Sequence, residues 1–428
     1  MLTVAYLANE FPSAVEPYVS EEIEELRRRG GRVVAGSVRK SKSDPSSPCE
    51  IVLNPLSVTV VLGAFWICIR EWQRLIPLIV RVLFKGREGV IQRAKALIHT
   101  FLGACYCVRL KGRGIEHIHV HHGYFGSWIA MTAARLLDIP FSMTLHGSDL
   151  LLRGDFLDVK LAHAEFCLTI SRYNRRFIRE HFPEIEPQKI IVTRLGVDIP
   201  APDKISSARG KKPSVPLTLL AVGRLHPVKN HAFLVQACAR LASRGLHFEC
   251  VIAGGGPERN RLQSLILRLG LEHKVTLLGH VPREQMGSLY DRADVTILTS
   301  RSEGIPLVLM EAMARGKIVV APAITGIPEL VIGGKTGFLY EPGSMDDLVE
   351  CLTFIDSMMR AESGFDPQRP DKSAASRQLD WIRHAARVQV LHNFNRKTNL
   401  EFFADMFLQR VEQRTKSVPD ENFVLQQI

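Results

Sequence analysis

Two glutamates eight positions apart, in the stretch SRSEGIPLVLMEAMARG at residues 300–316, are the side chains whose spacing most suggests chemistry. Glu303 precedes the break Gly304-Ile305-Pro306, and Glu311 follows it. Proline suits the first turn of a helix because its missing N–H would be unpaired there anyway, so the pattern predicts a helix from near Pro306 to near Gly316. Glu303 then sits in the loop before the helix, and Glu311 lies more than a turn inside it. The unpaired N–H groups and macrodipole of a helix start attract phosphate, while carboxylates accept from sugar hydroxyls. Eight residues of helical rise come to about 12 Å, about the span from a sugar through a diphosphate to a ribose. Two solvated glutamates on one helix face would also fit the motif. Further upstream, the loop Gly223-Arg224-Leu225-His226-Pro227-Val228-Lys229-Asn230 carries two cations able to neutralise a diphosphate, the arginine as a fork and the lysine as a point charge. His146 ends another expected strand, just before Gly147-Ser148-Asp149.

The elements around these residues read as alternating strands and helices. A strand over 2–8, a turn over 9–13, a helix over 16–29 ending at Gly30-Gly31 and a strand over 32–37 form a β-α-β opening. Strands follow at 115–120, 141–145, 164–170 and 190–195. A Lys-, Ser- and Pro-rich linker at 200–216 then separates a second series at 217–222, 248–253, 275–278, 295–298 and 317–321. A turn-rich β segment at 333–342, a helix from about 344, a loose polar stretch at 363–376 and helices over about 375–413 complete the expected order. His117, His119 and His121 share one strand face by the period of two, a spacing open to metal binding. No cysteine or carboxylate close by in sequence shares that face, so no metal is assigned. The glycine-rich turn Gly254-Gly255-Gly256-Pro257-Glu258 resembles a dinucleotide fingerprint. It lacks the third glycine, and the next strand ends in Gly279-His280 without an acidic residue for an adenosine ribose, which disfavours an NAD enzyme.

At 428 residues, with 46% hydrophobic and 23% charged residues, the chain predicts a globular protein of two similar domains. Eight cysteines, scattered singly apart from Cys105 and Cys107, suggest neither a disulfide framework nor a zinc ribbon, and suit reduced cytosolic thiols. The start MLTVAYLANEFP lacks a basic region before its apolar run and reads as a first strand rather than a signal peptide. The net charge of +11 would suit nucleic acid, anionic lipid or a phosphorylated substrate. Residues 55–111 read as two or three helices. Between Arg70 and Arg113, ten lysines and arginines face only Glu71 and Glu88, a local net of +8, interleaved with Trp72, Leu75, Ile76, Ile79 and Leu83 just after Trp66. Such a segment suits a helix lying on a bilayer, and equally a helical insertion packed on the first domain. Its uninterrupted apolar part, 58–69, is too short to span.

The Glu-x7-Glu element within SEGIPLVLMEAMARGKIVVAP, the GRLHPVK loop, TLHGSDL and HIHVHHGYFGS together resemble the family 4 retaining glycosyltransferases of the GT-B fold, over nearly the whole chain. That resemblance implies an α/β protein with two Rossmann-like domains facing across a cleft and C-terminal helices crossing back to the first domain. The expected boundaries are an acceptor-binding domain at 1–199 with a helical, membrane-associating segment at 55–113, the linker at 200–216, a nucleotide-sugar-binding domain at 217–374, crossover helices at 375–414 and a tail at 415–428. It implies that Arg224 and Lys229 grip the diphosphate, that Glu303 holds the sugar hydroxyls and that His146 orients the sugar. Glu311 would take the ribose, and His280 and Val281, within 279–282, would border the base. Gly223, Gly256, Gly304, Ile305, Pro306 and Leu307 complete the donor side, and Phe11, Pro12, Ser13, His121, Gly123 and Tyr124 form the acceptor side. Phe11-Pro12-Ser13-Ala14 replaces a glycine pair common in the family, and Thr325 stands where a second glycine is frequent. The implied activity transfers a hexose-type sugar from a nucleoside-diphosphate sugar to a glycan acceptor, lipid-linked, at the inner face of the cell membrane, with no cofactor and no metal. A transferase with a soluble acceptor and a non-catalytic nucleotide-sugar-binding partner of a membrane glycan assembly are the alternatives. No nucleic-acid motif accompanies the charge.

Overall fold

The computed structural model describes the chain except residues 1, 14–15, 41–48, 54–56, 87, 153, 202–215, 364–370 and 418–428. The expected connector at 41–48, nearly all of the linker at 200–216 and most of the tail at 415–428 lie outside the described residues. The chain divides into two compact units, Met1–Thr193 with Thr398–Ile428, and Arg194–Lys397.

The first unit runs β1 (Thr3–Phe11), α1 (Pro17–Arg28), β2 (Arg32–Lys40), β3 (Ile51–Val52), α2 (Val58–Arg70), α3 (Trp72–Phe84), α4 (Val90–Leu110), β4 (His117–His121), α5 (Phe125–Leu137), β5 (Phe141–Leu145), α6 (Ser148–Leu151), α7 (Leu157–His163), β6 (Phe166–Thr169), α8 (Arg172–His181) and β7 (Ile190–Val192). Its seven strands pair in the order β3-β2-β1-β4-β5-β6-β7, all parallel. Parallel strands are covered on both faces, and β4 shows how the sequence meets that demand. Ile118 and Val120 join one core with Tyr106 of α4 and Ile129 of α5. His117, His119 and His121 turn to the other face, and all three are fully buried.

β1 is longer than its pattern predicts. Glu10 and Phe11 continue the ladder with Arg39 and Lys40 of β2, and Phe11 N–H donates to Ser37 Oγ at 2.9 Å. Pairing with a long neighbour overrides the local turn signal, so the loop begins at Pro12. The segment after β3 does form three helices. Val60, Ala64 and Ile67 of α2 and Leu75, Leu78 and Val82 of α3 face the core, while Leu62, Phe65, Trp66 and Ile69, then Trp72 and Leu83, face outward and are exposed. These helices are therefore apolar on both sides. Among the described residues, no helix is long and apolar enough to cross a membrane.

The second unit runs β8 (Leu217–Val222), α9 (His231–Ser243), β9 (Phe248–Ala253), α10 (Arg259–Arg268), β10 (Val275–Gly279), α11 (Arg283–Arg292), β11 (Val295–Ile297), α12 (Leu307–Ala314), β12 (Ile318–Pro322), α13 (Ile327–Leu330), β13 (Phe338–Tyr340), α14 (Met345–Ser363) and α15 (Asp371–Asn393). Its six strands are again all parallel, in the order β10-β9-β8-β11-β12-β13. Each unit is thus a Rossmann-like α/β layer structure. α15 begins at Asp371, inside the stretch expected to be loose, and places Leu379 and Ile382 in the core of this unit.

The last helix, α16 (Arg396–Ser417), returns to the first unit. Phe403, Ala404, Phe407 and Val411 share a core with Tyr6 of β1 and Phe166 of β6. The Phe407 ring lies 5.1 Å from His119, 5.8 Å from His117 and 5.7 Å from Phe166 between centroids. Phe407→Ala is expected to lower the stability of this unit by about 3–5 kcal/mol, read from urea unfolding. A loss below about 1 kcal/mol would contradict the packing of α16 described here.

Candidate active site

In the first unit the chemistry gathers where adjacent strands β1, β4 and β5 end. Asp149, at the start of α6, is fully buried, and its carboxylate accepts from the backbone N–H of Gly147 at 2.7 Å, Gly123 at 2.9 Å and His146 at 3.1 Å. It thereby ties the loop after β4 to the loop after β5. His122, with φ at 71°, leaves β4 and places Nε2 3.0 Å from Glu16 Oε1 and Nδ1 3.6 Å from Asp149, the second an ion pair longer than a hydrogen bond. Burial alone would push the His122 imidazolium down, but Asp149 and Glu16 outweigh it and lift its pKa to about 10. Burial alone would raise Asp149, yet the His122 cation and the backbone donors hold it well below the usual carboxylate range. Lys160, also buried, braces the same loop by donating to the carbonyls of Gly123 and Asp155, each at 2.7 Å, and burial lowers its pKa to about 8.

His146 is packed among rings, 4.4 Å from His122 and 4.7 Å from Tyr18 between centroids. Tyr124 reaches Ser148 Oγ at 2.6 Å, and Gly123 has no room for a Cβ, which would stand 2.8 Å from Leu145. Of the expected acceptor-side residues, His121, Gly123 and Tyr124 therefore come together with His146. Phe11 does not line a surface. Its side chain is buried in the core with Tyr6 and Phe407, because the extended β1 carries it under the sheet's helices. Pro12 and Ser13 follow in the loop and are half-buried.

The histidine face of β4 does find a carboxylate, from a place remote in sequence. Glu22 of α1 brings an oxygen within 4.8 Å of ligand atoms of His119 and His121. Both His119 ring nitrogens already meet hydroxyls, Ser142 at 2.7 Å and Thr144 at 3.0 Å, and both His121 nitrogens meet His146 and Glu22. The group is a satisfied hydrogen-bond network.

In the second unit, the loops after β10, β9, β8 and β11 meet along one sheet edge. Gly254 approaches so closely that a Cβ would lie 1.9 Å from the Gly223 carbonyl oxygen, and a Cβ on Gly256 would lie 2.4 Å from that of Leu225. Backbone bonds from Leu225 to Gly255 and from Gly254 to Gly279 lock the three loops together. The expected donor-side residues Gly223, Arg224, Lys229, Gly256, His280 and Val281 all lie on these loops, with Arg224 and His280 exposed. Pro306 is the N-cap residue of α12, so the helix begins at Leu307, one position after the expected start, and no side chain caps that terminus. Gly304, Ile305 and Leu307 bracket it, and Ile305 is buried at 5% exposure.

Lys229 Nζ lies 2.5 Å from Glu303 Oε1, so the second cation of the loop after β8 and the first glutamate of the Glu-x7-Glu motif meet directly. Thr325, at φ 48°, donates from Oγ1 to the Glu303 carbonyl at 2.6 Å, taking up with a hydroxyl the place where glycine is frequent. Glu311 is half-buried on α12 and accepts from the Tyr290 hydroxyl at 2.6 Å. Burial raises its pKa above the ordinary value, against the pull of Tyr290 and nearby arginines. Asp149, His122, Glu22, Lys160 and Tyr290 escaped the sequence reading. Two of them had a local signal, Asp149 in TLHGSDL and His122 in HIHVHHGYFGS.

Fold and residues together define a glycosyltransferase family. The chain matches "Glycosyltransferase Family 4" over residues 15–200 and "Glycosyl transferases group 1" over residues 203–358, and belongs to that family. It is 39% identical over 216 residues, 49% of this chain and 48% of the relative, to WcaL of Escherichia coli (strain K12), a protein named for colanic acid biosynthesis. It is 32% identical over 281 residues, 62% of this chain and 66% of the relative, to the amylovoran biosynthesis glycosyltransferase AmsK of Erwinia amylovora. The matches thus span from half to just under two thirds of these relatives' lengths. The fold is that of Anabaena HepE solved with UDP-glucose, with a TM-score of 0.61 at 18% identity, over 96% of this chain and 100% of that one.

The His122–Asp149 pair sets a pH dependence. His122 has a raised pKa, so its contribution is complete below the ordinary 6.5 and is lost as pH rises towards about 10. Asp149 has a lowered pKa, so its contribution is complete above the ordinary 3.8 and fades as pH falls below it. Thermal unfolding of the wild type is expected to show both limbs. Asp149→Asn should lose the acid limb and about 3–5 kcal/mol near pH 6, because a buried cation and backbone donors lose their partner.

Proposed function

We propose that the chain is a retaining glycosyltransferase that moves a hexose-type sugar from a nucleoside-diphosphate sugar to a hydroxyl of a lipid-linked glycan acceptor during surface-polysaccharide synthesis, working at the inner face of the cell membrane. The observation that carries this reading is the gathering of Arg224, Lys229, Glu303 and the uncapped start of α12 on neighbouring strand ends of one parallel sheet. In parallel sheets that edge is where ligands bind. Residues 1–199 would serve the acceptor and 217–374 the donor.

Arg224, Lys229 and the N–H groups of Gly304, Ile305 and Leu307 stabilise the leaving diphosphate, and Pro306 has no N–H to offer. Glu303 accepts from the sugar hydroxyls, Glu311 accepts from the ribose, and His146 orients the sugar. The bond from the anomeric carbon to phosphate breaks as the bond to the acceptor oxygen forms on the same face. The acceptor's proton passes to the departing phosphate oxygen, so no separate base is required.

The lipid-linked acceptor is supported by α2, α3 and α4. Of the 22 exposed large hydrophobic side chains among the described residues, 13 lie on these three helices, including Phe65, Trp66, Ile69, Trp72, Phe84 and Ile91. The same stretch carries the excess of ten basic residues over two acidic ones. Many exposed apolar side chains with basic neighbours fit an anionic bilayer.

With membrane lipid extract as acceptor source, and UDP sugars tried first because HepE was solved with UDP-glucose, one nucleotide sugar should be turned over. Arg224→Ala and Lys229→Ala should each lower kcat by about 10²-fold or more. Unchanged turnover in both variants would overturn the mechanism. In sedimentation with vesicles of phosphatidylglycerol and phosphatidylethanolamine, the wild type should bind, and Trp66→Asp with Trp72→Asp should weaken binding by about tenfold or more. Equal binding by both proteins would remove α2 and α3 from the membrane contact.

A further inference from the structure

The proposed transfer leaves one buried chain of groups in the first unit unused. Glu22 of α1 is 5% exposed, and its Oε2 accepts from the Tyr6 hydroxyl at 3.0 Å and faces His121 Nε2, also at 3.0 Å. His121 Nδ1 then faces His146 Nε2 at 3.1 Å. Proton positions along this chain follow from what each group can do. A carboxylate only accepts, so His121 carries its proton on Nε2. With His121 as a neutral imidazole, the form the relay requires, its one ring proton is on Nε2 and Nδ1 is a lone pair, so the contact with His146 needs a proton on His146 Nε2. His146 Nδ1 is left without one.

His146 itself is neutral. Burial disfavours its charged form, and the His122 imidazolium, whose ring lies 4.4 Å away, adds a like charge. The rings of Tyr18 and His122 hold the imidazole in its plane. Among the described residues no hydrogen bond to His146 Nδ1 is found, and the residue as a whole keeps 9% of its surface exposed. Through three residues from three elements, α1, β4 and the loop after β5, the fold prepares a single acceptor.

We propose that Glu22, acting through His121, is a positioning residue that fixes His146 as its Nε2–H tautomer, so that the Nδ1 lone pair accepts a hydrogen bond from a hydroxyl of the transferred sugar. The sugar contact rests on the function proposed above, whereas the tautomer does not. A bare Nδ1 makes the sugar hydroxyl the donor, so hydrogen bonding leaves electron density on the sugar oxygen as positive character develops on the ring, whereas an Nδ1–H would make the same hydroxyl the acceptor and draw density away. Glu22 is 124 positions from His146 in the chain and outside every motif that identifies the family.

The test is long-range ¹⁵N–¹H NMR on ¹⁵N-histidine-labelled protein. In the wild type His146 should be protonated at Nε2 and bare at Nδ1. Glu22→Gln retains an amide oxygen to accept from His121 and should keep this state. Glu22→Leu removes the acceptor, so the His121 proton should move to Nδ1 and His146 should take up Nδ1–H. An Nδ1–H on His146 in the wild type, or no change in Glu22→Leu, would overturn the proposal, and the wild-type assignment stands even if the leucine variant fails to fold. With UDP-glucose hydrolysis as the probe, Glu22→Leu should lower kcat about tenfold with KM within about twofold, and Glu22→Gln should restore most of it. Equal losses in both variants would overturn the positioning role. A tautomer switch in a protein with no turnover on any nucleotide sugar would instead overturn the transferase reading and the sugar contact, and leave the relay intact.

Discussion

Both sheets are wholly parallel, and that single constraint decides where chemistry can occur. A parallel strand must be followed by a crossover, so every strand in a sheet ends at the same edge. Backbone N–H groups at the starts of the following helices collect there with nothing of their own to pair with. Each unit has to satisfy or exploit that row of donors. The residues that do so are the ones from which a site is built.

The two units meet the demand in opposite ways. In the first, a charge is sunk into the edge, where Asp149 accepts from three backbone amides and is balanced by His122. A buried anion with this many donors is stable only where they converge, so it fixes the loops after β4 and β5 at once. In the second, side chains are removed instead. Gly254 and Gly256 let three loops touch through backbone, and the start of α12 remains uncapped. The first edge is electrically complete and rigid, while the second is left with donors to offer.

The sequence pattern made the alternation of strands and helices legible, because strands buried on both faces read as apolar runs and their connecting helices end at Gly30, Gly245, Gly270 and Gly316. It also made legible the contiguous motifs around Glu303 and Lys229. Two kinds of information were not local. The length of β1 depended on its partner β2, and α15 is held by Leu379 and Ile382, which share a core with Leu348 and Leu352 of α14. The network behind His146 was hidden for the same reason, since Glu22, His121 and Tyr6 lie on three separate elements and share no spacing. Phe11 lies in the ladder of β1 and in the core rather than in the loop, because the length of that strand is set by its partner and not by the local turn residues.

The contact between Lys229 and Glu303 has a consequence for selectivity among ligands. Each neutralises the other, so a ligand carrying phosphate alone must part them and leave the carboxylate without a counter-charge. A ligand bearing both a diphosphate and a hydroxylated sugar replaces the lysine's partner and the glutamate's partner together. For the proposed reaction, the spent nucleoside diphosphate is the first kind and the donor is the second. Closing the ion pair again would then work against retention of the product, speeding its release without any moving part larger than a lysine side chain.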